Sequence, residues 1–241
     1  MSSETKSSSI AIVIVLLIAA GLAFAGSQGG HLVNGFPLFA LCIALAFVIQ
    51  WLAFIPAFMY RTEKFYDLTG SITYLTVIMV ALLLSPVIDT RSLLLAGIIA
   101  IWAIRLGSFL FMRIRAAGED RRFREIKQSF ARFLMTWTLQ GLWVAFSLAA
   151  ALAAITSTLR KELDAFAVIG FFVWLFGFGI EVIADRQKSA FNAKAANKGK
   201  FIRSGLWSWS RHPNYFGEIV LWIGVMIIAM PILQGWQWAT L

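Results

Sequence analysis

Arg211, His212, Asn214, Tyr215 and Glu218 are crowded into residues 211–218, at the mouth of the apolar run 219–233. Polar and charged groups at such a place are costly unless they are paired or used. Pro213 suits a first helical position, where its missing N–H would be unpaired anyway. A helix opening there presents free backbone N–H groups beside Arg211 and His212, a seat for a phosphate or carboxylate. Tyr215 and Glu218 share a face of that helix and could supply a proton to a developing oxyanion.

Other chemically capable residues are spread through the chain. Tyr66 and Asp67 lie with Glu63 between two apolar runs, where the plain alternative is a solvated loop with Asp67 or Thr69 capping the next helix. Arg105 lies deep within an apolar run, and its spacing puts it on one face with Trp102, Phe109 and Arg113. An arginine at that depth belongs in a bundle interior or a water-filled cavity. Glu181 and Asp185 are four apart on one face, at a helix end where carboxylates oppose the macrodipole and need partners. Gln187–Arg203, which includes Asn192, is too polar to span and reads as a re-entrant or surface loop leading to the 205–218 segment. Trp207 and Trp209 read as membrane-belt aromatics.

The elements that must position these groups are membrane helices. Hydrophobic residues make up 60% of the chain and charged residues 14%, against roughly 45–50% and about 25% in soluble domains. Apolar runs long enough to span occur near 10–26, 36–60, 70–88, 91–112, 129–156, 164–184 and 215–233. The expected fold is therefore an all-α integral membrane bundle of about seven transmembrane helices. Ala23-Phe24-Ala25 resembles a signal-peptidase site, yet the first run is read as an uncleaved anchor. Residues 1–35 then form an anchor helix and external loop, and 36–241 the main transmembrane domain.

Most of the 21 lysines and arginines fall on the side that holds the N-terminus and the loops near 61–69, 113–128 and 185–214. The positive-inside rule makes that side cytoplasmic, and its charge also attracts anionic lipid heads. No basic stripe lies on a soluble module, so nucleic-acid binding is not expected. Cys42, the only cysteine, lies in an apolar run and reads as a small core residue. The chain is expected to act as a monomer.

No His, Cys, Asp and Glu spacing fits a metal site, no Ser-His-Asp set can be assembled, and neither a P-loop nor a Gly-rich dinucleotide fingerprint is present. What remains is a cytoplasmic-side set of Arg105, Arg113, Glu181, Asp185, Arg203, Arg211, His212, Asn214, Tyr215 and Glu218. Cations suit phosphates, and carboxylates suit ribose hydroxyls or carboxamides. A soluble anionic cofactor could enter from the cytoplasm and an apolar substrate from the bilayer; the residues themselves lead to a membrane enzyme using an anionic nucleotide cofactor, and no further.

Arg211-His212-Pro213-Asn214-Tyr215-Phe216-Gly217-Glu218 resembles the C-terminal signature of the membrane steroid 5-alpha-reductase superfamily, in particular its bacterial, steroid reductase-like branch. Tyr66–Ser71, Trp102–Arg113, Leu139-Gln140-Gly141 and Glu181/Asp185 are similar in order and spacing, so the likeness covers roughly residues 60–225. It implies a bacterial inner-membrane enzyme that uses NADPH to reduce a carbon–carbon double bond conjugated to a carbonyl in a steroid or other lipid. The cofactor-contacting positions of the superfamily fall on Arg105, Asp185, Arg211, Asn214 and Tyr215, with Glu181 where an amide is common. The carboxylate that polarises the carbonyl matches Asp67, preceded by Tyr66 in place of a glutamine, and Glu218 matches the acid of the signature.

The likeness has three departures. Trp102 stands where the superfamily has a catalytic tyrosine, leaving Tyr66 or Tyr74 as candidate phenols. An extra N-terminal span precedes the shared core. Relatives continue through another span to a tail that helps cover the nucleotide, whereas this sequence stops at Leu241. The alternative enzyme class is S-adenosylmethionine-dependent methyl transfer, since isoprenylcysteine and phospholipid methyltransferases carry a similar Arg-His-Pro-x-Tyr segment. A non-enzymatic lipid-binding role is the remaining alternative.

Overall fold

A computed structural model describes residues 3–241; the first two residues of the expected 1–35 segment lie outside the described part. Seven of its helices are long and apolar enough to cross a membrane, as an all-α membrane bundle requires. A helix satisfies its own backbone hydrogen bonds, which hydrocarbon cannot do for it. The chain divides into two compact units, residues 1–162 with 232–241, and residues 163–231.

The first unit contains α1 (Ser3–Gly26), a short hairpin of β1 (Leu32–Val33) and β2 (Phe36–Pro37), and then α2 (Leu38–Met59), α3 (Tyr66–Leu84) and α4 (Thr90–Ala117). The one-turn α5 (Phe123–Ile126) and the long α6 (Phe130–Thr156) follow. In the hairpin Asn34 and Gly35 both have positive φ, at 50° and 85°, the conformation a two-residue type I′ turn demands. Its entry is tied down where the His31 N–H donates to the Thr156 carbonyl at 2.7 Å.

α6 is the buried centre of this unit. Leu148–Ile155 is almost wholly buried, and its run of alanines lets α1, α2, α3 and α4 approach closely. The final segment, Gly235–Thr240, forms a 3₁₀ helix against α1. There Gln237 is fully buried and donates to the Gly26 carbonyl at 3.2 Å. α1 therefore packs within the first unit.

At the opposite ends of α2 and α3 the connectors are braced by polar contacts. Arg61, at φ 49°, donates to the carbonyls of Lys127 and Gln128 at 2.8 and 3.2 Å. Glu63 is buried; its carboxylate accepts the Asp120 N–H at 3.0 Å and pairs with the Lys127 ammonium at 2.6 Å. Below them Phe54, Phe123, Phe133 and Trp137 form an aromatic core with Tyr66 packed against it.

The second unit is a helical hairpin of α7 (Ala165–Asn192) and α8 (Pro213–Ala229). α7 runs well past residue 184. Gln187–Asn192, expected as loop, is helix, and the irregular chain begins only at Ala193, with a 3₁₀ turn at Ala195–Asn197. Twenty-eight residues at about 1.5 Å each exceed a hydrocarbon core of about 30 Å, so the polar end projects beyond it.

The two helices meet on glycine. A Cβ at Gly177 would stand 2.6 Å from the Gly217 carbonyl, and one at Gly224 would stand 2.6 Å from the Gly170 carbonyl. The seven-residue spacing on both strands of this antiparallel pair brings backbone against backbone, the close approach small residues permit in membrane helices.

Candidate functional site

The second unit brings several of the expected residues around one cavity. A second 3₁₀ turn, Gly205–Ser208, folds back onto the polar end of α7. Gly205 has φ 62°, and a Cβ there would collide with the Gln187 amide, which accepts the Leu206 N–H at 3.0 Å. Trp207 is buried; its indole N–H donates to the Ala184 carbonyl at 3.0 Å, and the Lys188 ammonium lies over its ring at 4.7 Å. Trp207 is thus a docking residue and not a belt aromatic, whereas Trp209 is 87% exposed.

This docking leaves a cavity of about 580 Å³ lined by Lys188, Asn192, Lys200, Phe201, Ile202, Arg203, Trp207, Arg211 and His212. The size lies within the range of small-molecule sites, roughly 300–1,000 Å³. Asn192, Arg203, Arg211 and His212 were expected from sequence. Lys188, Lys200, Phe201 and Trp207 were not. Glu181, Asp185, Lys188 and Asn192 follow one another at helical i+4, i+3 and i+4 spacing, so they share a face of α7. Treating residues after 187 as loop hid that phase.

α8 opens as its sequence requires. His212 is the N-cap residue and contributes no side-chain cap, and Pro213 occupies the first helical position. The first turn therefore keeps amides without a side-chain partner beside the cavity-lining Arg211 and His212. The His212 ring stacks on Tyr215, with centroids 5.2 Å apart and planes 7° from parallel.

Glu181 and Asp185 are 3% and 7% exposed on α7, and both have partners. A Cβ at Gly217 would stand 2.6 Å from the Glu181 nitrogen, so the middle of the 211–218 segment touches α7 at Glu181. Glu218 is within electrostatic reach of Asp185. The Asn214 side-chain oxygen is buried and, among the described residues, accepts no hydrogen bond. Glu181, Asp185 and Glu218 thus lie close together on the α7–α8 hairpin, and neither they nor Asn214 and Tyr215 line the cavity.

In the first unit, Asp67 sits in the first turn of α3. The N-cap residue is Phe65, and neither Asp67 nor Thr69 caps the helix; the Thr69 hydroxyl instead donates to the Phe65 carbonyl at 2.7 Å. One carboxylate oxygen of Asp67 lies 3.9 Å from the Arg113 guanidinium. Among the described residues this long contact is its one ion pair, and the side chain remains 28% exposed. Tyr66 is more firmly committed. Its hydroxyl donates to the Thr136 carbonyl at 3.0 Å, its ring packs on Phe123 and Trp137, and its carbonyl accepts from the Gln140 amide at 3.1 Å.

Arg105 is half-buried, with its guanidinium 5.3 Å from the Phe109 ring centre. Trp102 is buried edge-on to Tyr74, with centroids 5.0 Å apart. Beyond the membrane end of α4, the Arg122 side chain hydrogen-bonds Asp120 and holds its carboxyl below the usual range. Glu119 is held low in the same way by Arg124.

What this arrangement can do chemically follows from its parts. The cavity pairs several cations with aromatic faces, which suits a molecule carrying phosphates and a planar base. The buried Asn214 oxygen suits a hydroxyl or amide donor. No curated protein and no solved structure matches the chain. A model of the family described as a protein of unknown function, DUF1295, matches residues 53–241. The match takes in α3, the polar end of α7, the docking turn and all of α8, and by it the chain belongs to the DUF1295 family, within the steroid 5-alpha-reductase-like membrane superfamily.

Proposed function

We propose that the protein is an NADPH-dependent membrane reductase acting on a carbon–carbon double bond conjugated to a carbonyl in a lipidic or steroid-like substrate. The observation that carries this reading is the cavity lined by Lys188, Lys200, Arg203 and Arg211, with Trp207 and Phe201 beside them. Such a donor set fits a ligand with several phosphates better than S-adenosylmethionine, which has none. NADPH supplies the hydride when bound.

The residues of the chain take the following parts. Lys188, Lys200, Arg203, Arg211 and the first amides of α8 neutralise phosphates, with Asn192 and His212 as polar neighbours. Trp207 or Phe201 offers a face to the base. Asn214, with its unsatisfied oxygen, takes a hydroxyl or carboxamide donor, and Glu181, Asp185 and Tyr215 orient the same ligand. Arg105, by the resemblance, and Arg113, on the same face of α4, are further candidates for cofactor contact. Asp67, in its protonated form, donates to the substrate carbonyl oxygen and raises the electrophilicity of the β carbon. Glu218 is the second acid available for proton handling. Tyr66, whose proton is held by Thr136, positions the turn that carries Asp67. The substrate reaches the protein from the bilayer, and the cofactor face is cytoplasmic.

The test is a thermal-shift titration of detergent-purified protein with NADPH, NADH and S-adenosylmethionine, because a ligand selective for the folded state raises its stability with occupancy. Stabilisation by NADPH that is lost in Arg211→Ala supports the reading. Stabilisation by S-adenosylmethionine alone would reassign the site to methyl transfer. A response to none of the three would overturn a nucleotide site here.

A further inference from the structure

We propose that a second cleft, between Lys64 and Arg115 in the first unit, binds the phosphate of an anionic phospholipid. Lys64 comes from the connector before α3 and Arg115 from the last turn of α4. With Phe65, Phe111, Ile114 and Gly118 they line a cavity of about 300 Å³. The Phe65 and Phe111 rings stack with centroids 6.3 Å apart, and the Arg115 guanidinium lies 5.8 Å from the Phe111 ring centre. The cleft therefore has an apolar aromatic floor and a positively charged rim.

The charge pattern around it identifies the sign of the ligand. Neighbouring cations already have carboxylates: Arg113 faces Asp67, Arg122 faces Asp120, Arg124 faces Glu119 and Lys127 faces Glu63. Among the described residues no carboxylate pairs with Lys64 or Arg115. Both side chains are exposed, so water alone can solvate them, and the ligand that complements such a rim best is an anion from outside the chain.

The place of the cleft identifies the source. The spanning stretch of α3 begins at Tyr66 and that of α4 ends at Ala117. The cleft thus lies at the ends of two helices long and apolar enough to cross a membrane, and their reading as spans puts lipid headgroups within its reach. Phe65 is 55% exposed, apolar surface that an acyl chain or glycerol backbone covers and a soluble phosphate leaves bare. Gly118, at φ 81°, ends α4 with open space where its side chain would be, so the mouth stays clear.

The experiment is native mass spectrometry of the full chain titrated with phosphatidylglycerol or phosphatidylcholine. A Lys64→Gln/Arg115→Gln variant is compared with Lys194→Gln/Lys198→Gln, which removes the same charge elsewhere. The expected result is phosphatidylglycerol affinity about thirtyfold lower in the first variant, on the per-residue scale for basic side chains at an anionic leaflet. The control keeps its affinity, and phosphatidylcholine binding does not change. Equal losses in both variants mean diffuse attraction, and an unchanged first variant means the cleft is not used; either overturns the proposal. Binding of sn-glycerol 3-phosphate as tight as that of phosphatidylglycerol would also overturn it, by showing that the acyl part adds nothing and assigning the cleft to a soluble phosphate. None of these outcomes depends on whether the protein is a reductase.

Discussion

Gly217 sits against the backbone of Glu181, so close that a Cβ on the glycine would stand 2.6 Å from the Glu181 nitrogen. This contact ties the 211–218 segment to the acidic face of α7. Its neighbours Gly177 and Gly224 repeat the arrangement along the hairpin. The register of α7 against α8 is therefore fixed by atoms that cannot yield, since they are backbone on both sides.

Gly217→Ala is expected to force the helices apart and to destabilise the protein by about 1–3 kcal/mol, the usual cost of overpacking. Gly179→Ala, on the same hairpin but with nothing within 4 Å of its Cβ, is expected to stay within about 0.5 kcal/mol of the parent. Thermal unfolding in one detergent compares the two. Equal effects would show that the glycine contact does not set the packing.

Trp207 and Trp209 are expected to separate in the same assay. Trp207→Phe keeps an aromatic ring but removes the N–H donated to Ala184, at a cost of about 1 kcal/mol. It should also weaken ligand binding in the cavity that Trp207 lines. Trp209→Phe should alter neither property, because that side chain is almost wholly exposed.

The Glu63–Lys127 pair makes a third prediction. With side chains 2% and 16% exposed and oxygen and nitrogen 2.6 Å apart, the pair is largely shielded from solvent. Lys127→Met leaves a carboxylate buried and is expected to cost about 3 kcal/mol. The double variant Glu63→Gln/Lys127→Met should recover much of that loss. A double-mutant cycle on melting temperatures measures the coupling, and additive losses would remove the pair from the bracing of the α2–α3 connector.

Asp67→Asn and Glu218→Gln test the acids of the proposed reaction. Each is expected to lower turnover at least a hundredfold, the lower end of what general acid catalysis contributes, while the melting temperature and NADPH binding stay near those of the parent. Reduction of a panel of enone lipids reads the turnover. Full activity in both variants would remove these carboxylates from the mechanism.

The spans were legible in the sequence because hydrocarbon imposes a rule each segment obeys on its own: enough consecutive apolar residues and a closed backbone. The start of α8 was legible for an equally local reason, since Pro213 fixes a first helical position. The end of α7 was not, because polar composition alone does not stop a helix that continues beyond the membrane. Capping of α3 by Asp67 or Thr69, the plain alternative to a functional role, does not occur; Asp67 has the right chemistry for a cap, but it lies inside the helix and Phe65 precedes it.

By itself, then, the sequence determined an all-α membrane protein of seven spans and a cluster of cations and acids at the entry to the last helix. The tertiary structure decided which of them meet. It selected Trp207 over Trp209 for burial, added Lys188 and Lys200 to the cavity, and committed the Tyr66 hydroxyl to Thr136. Each of these depends on a contact between residues distant in the chain. Composition and periodicity fix the face on which a side chain lies, whereas its partner is fixed only when backbones pack, as those of α7 and α8 do through their glycines.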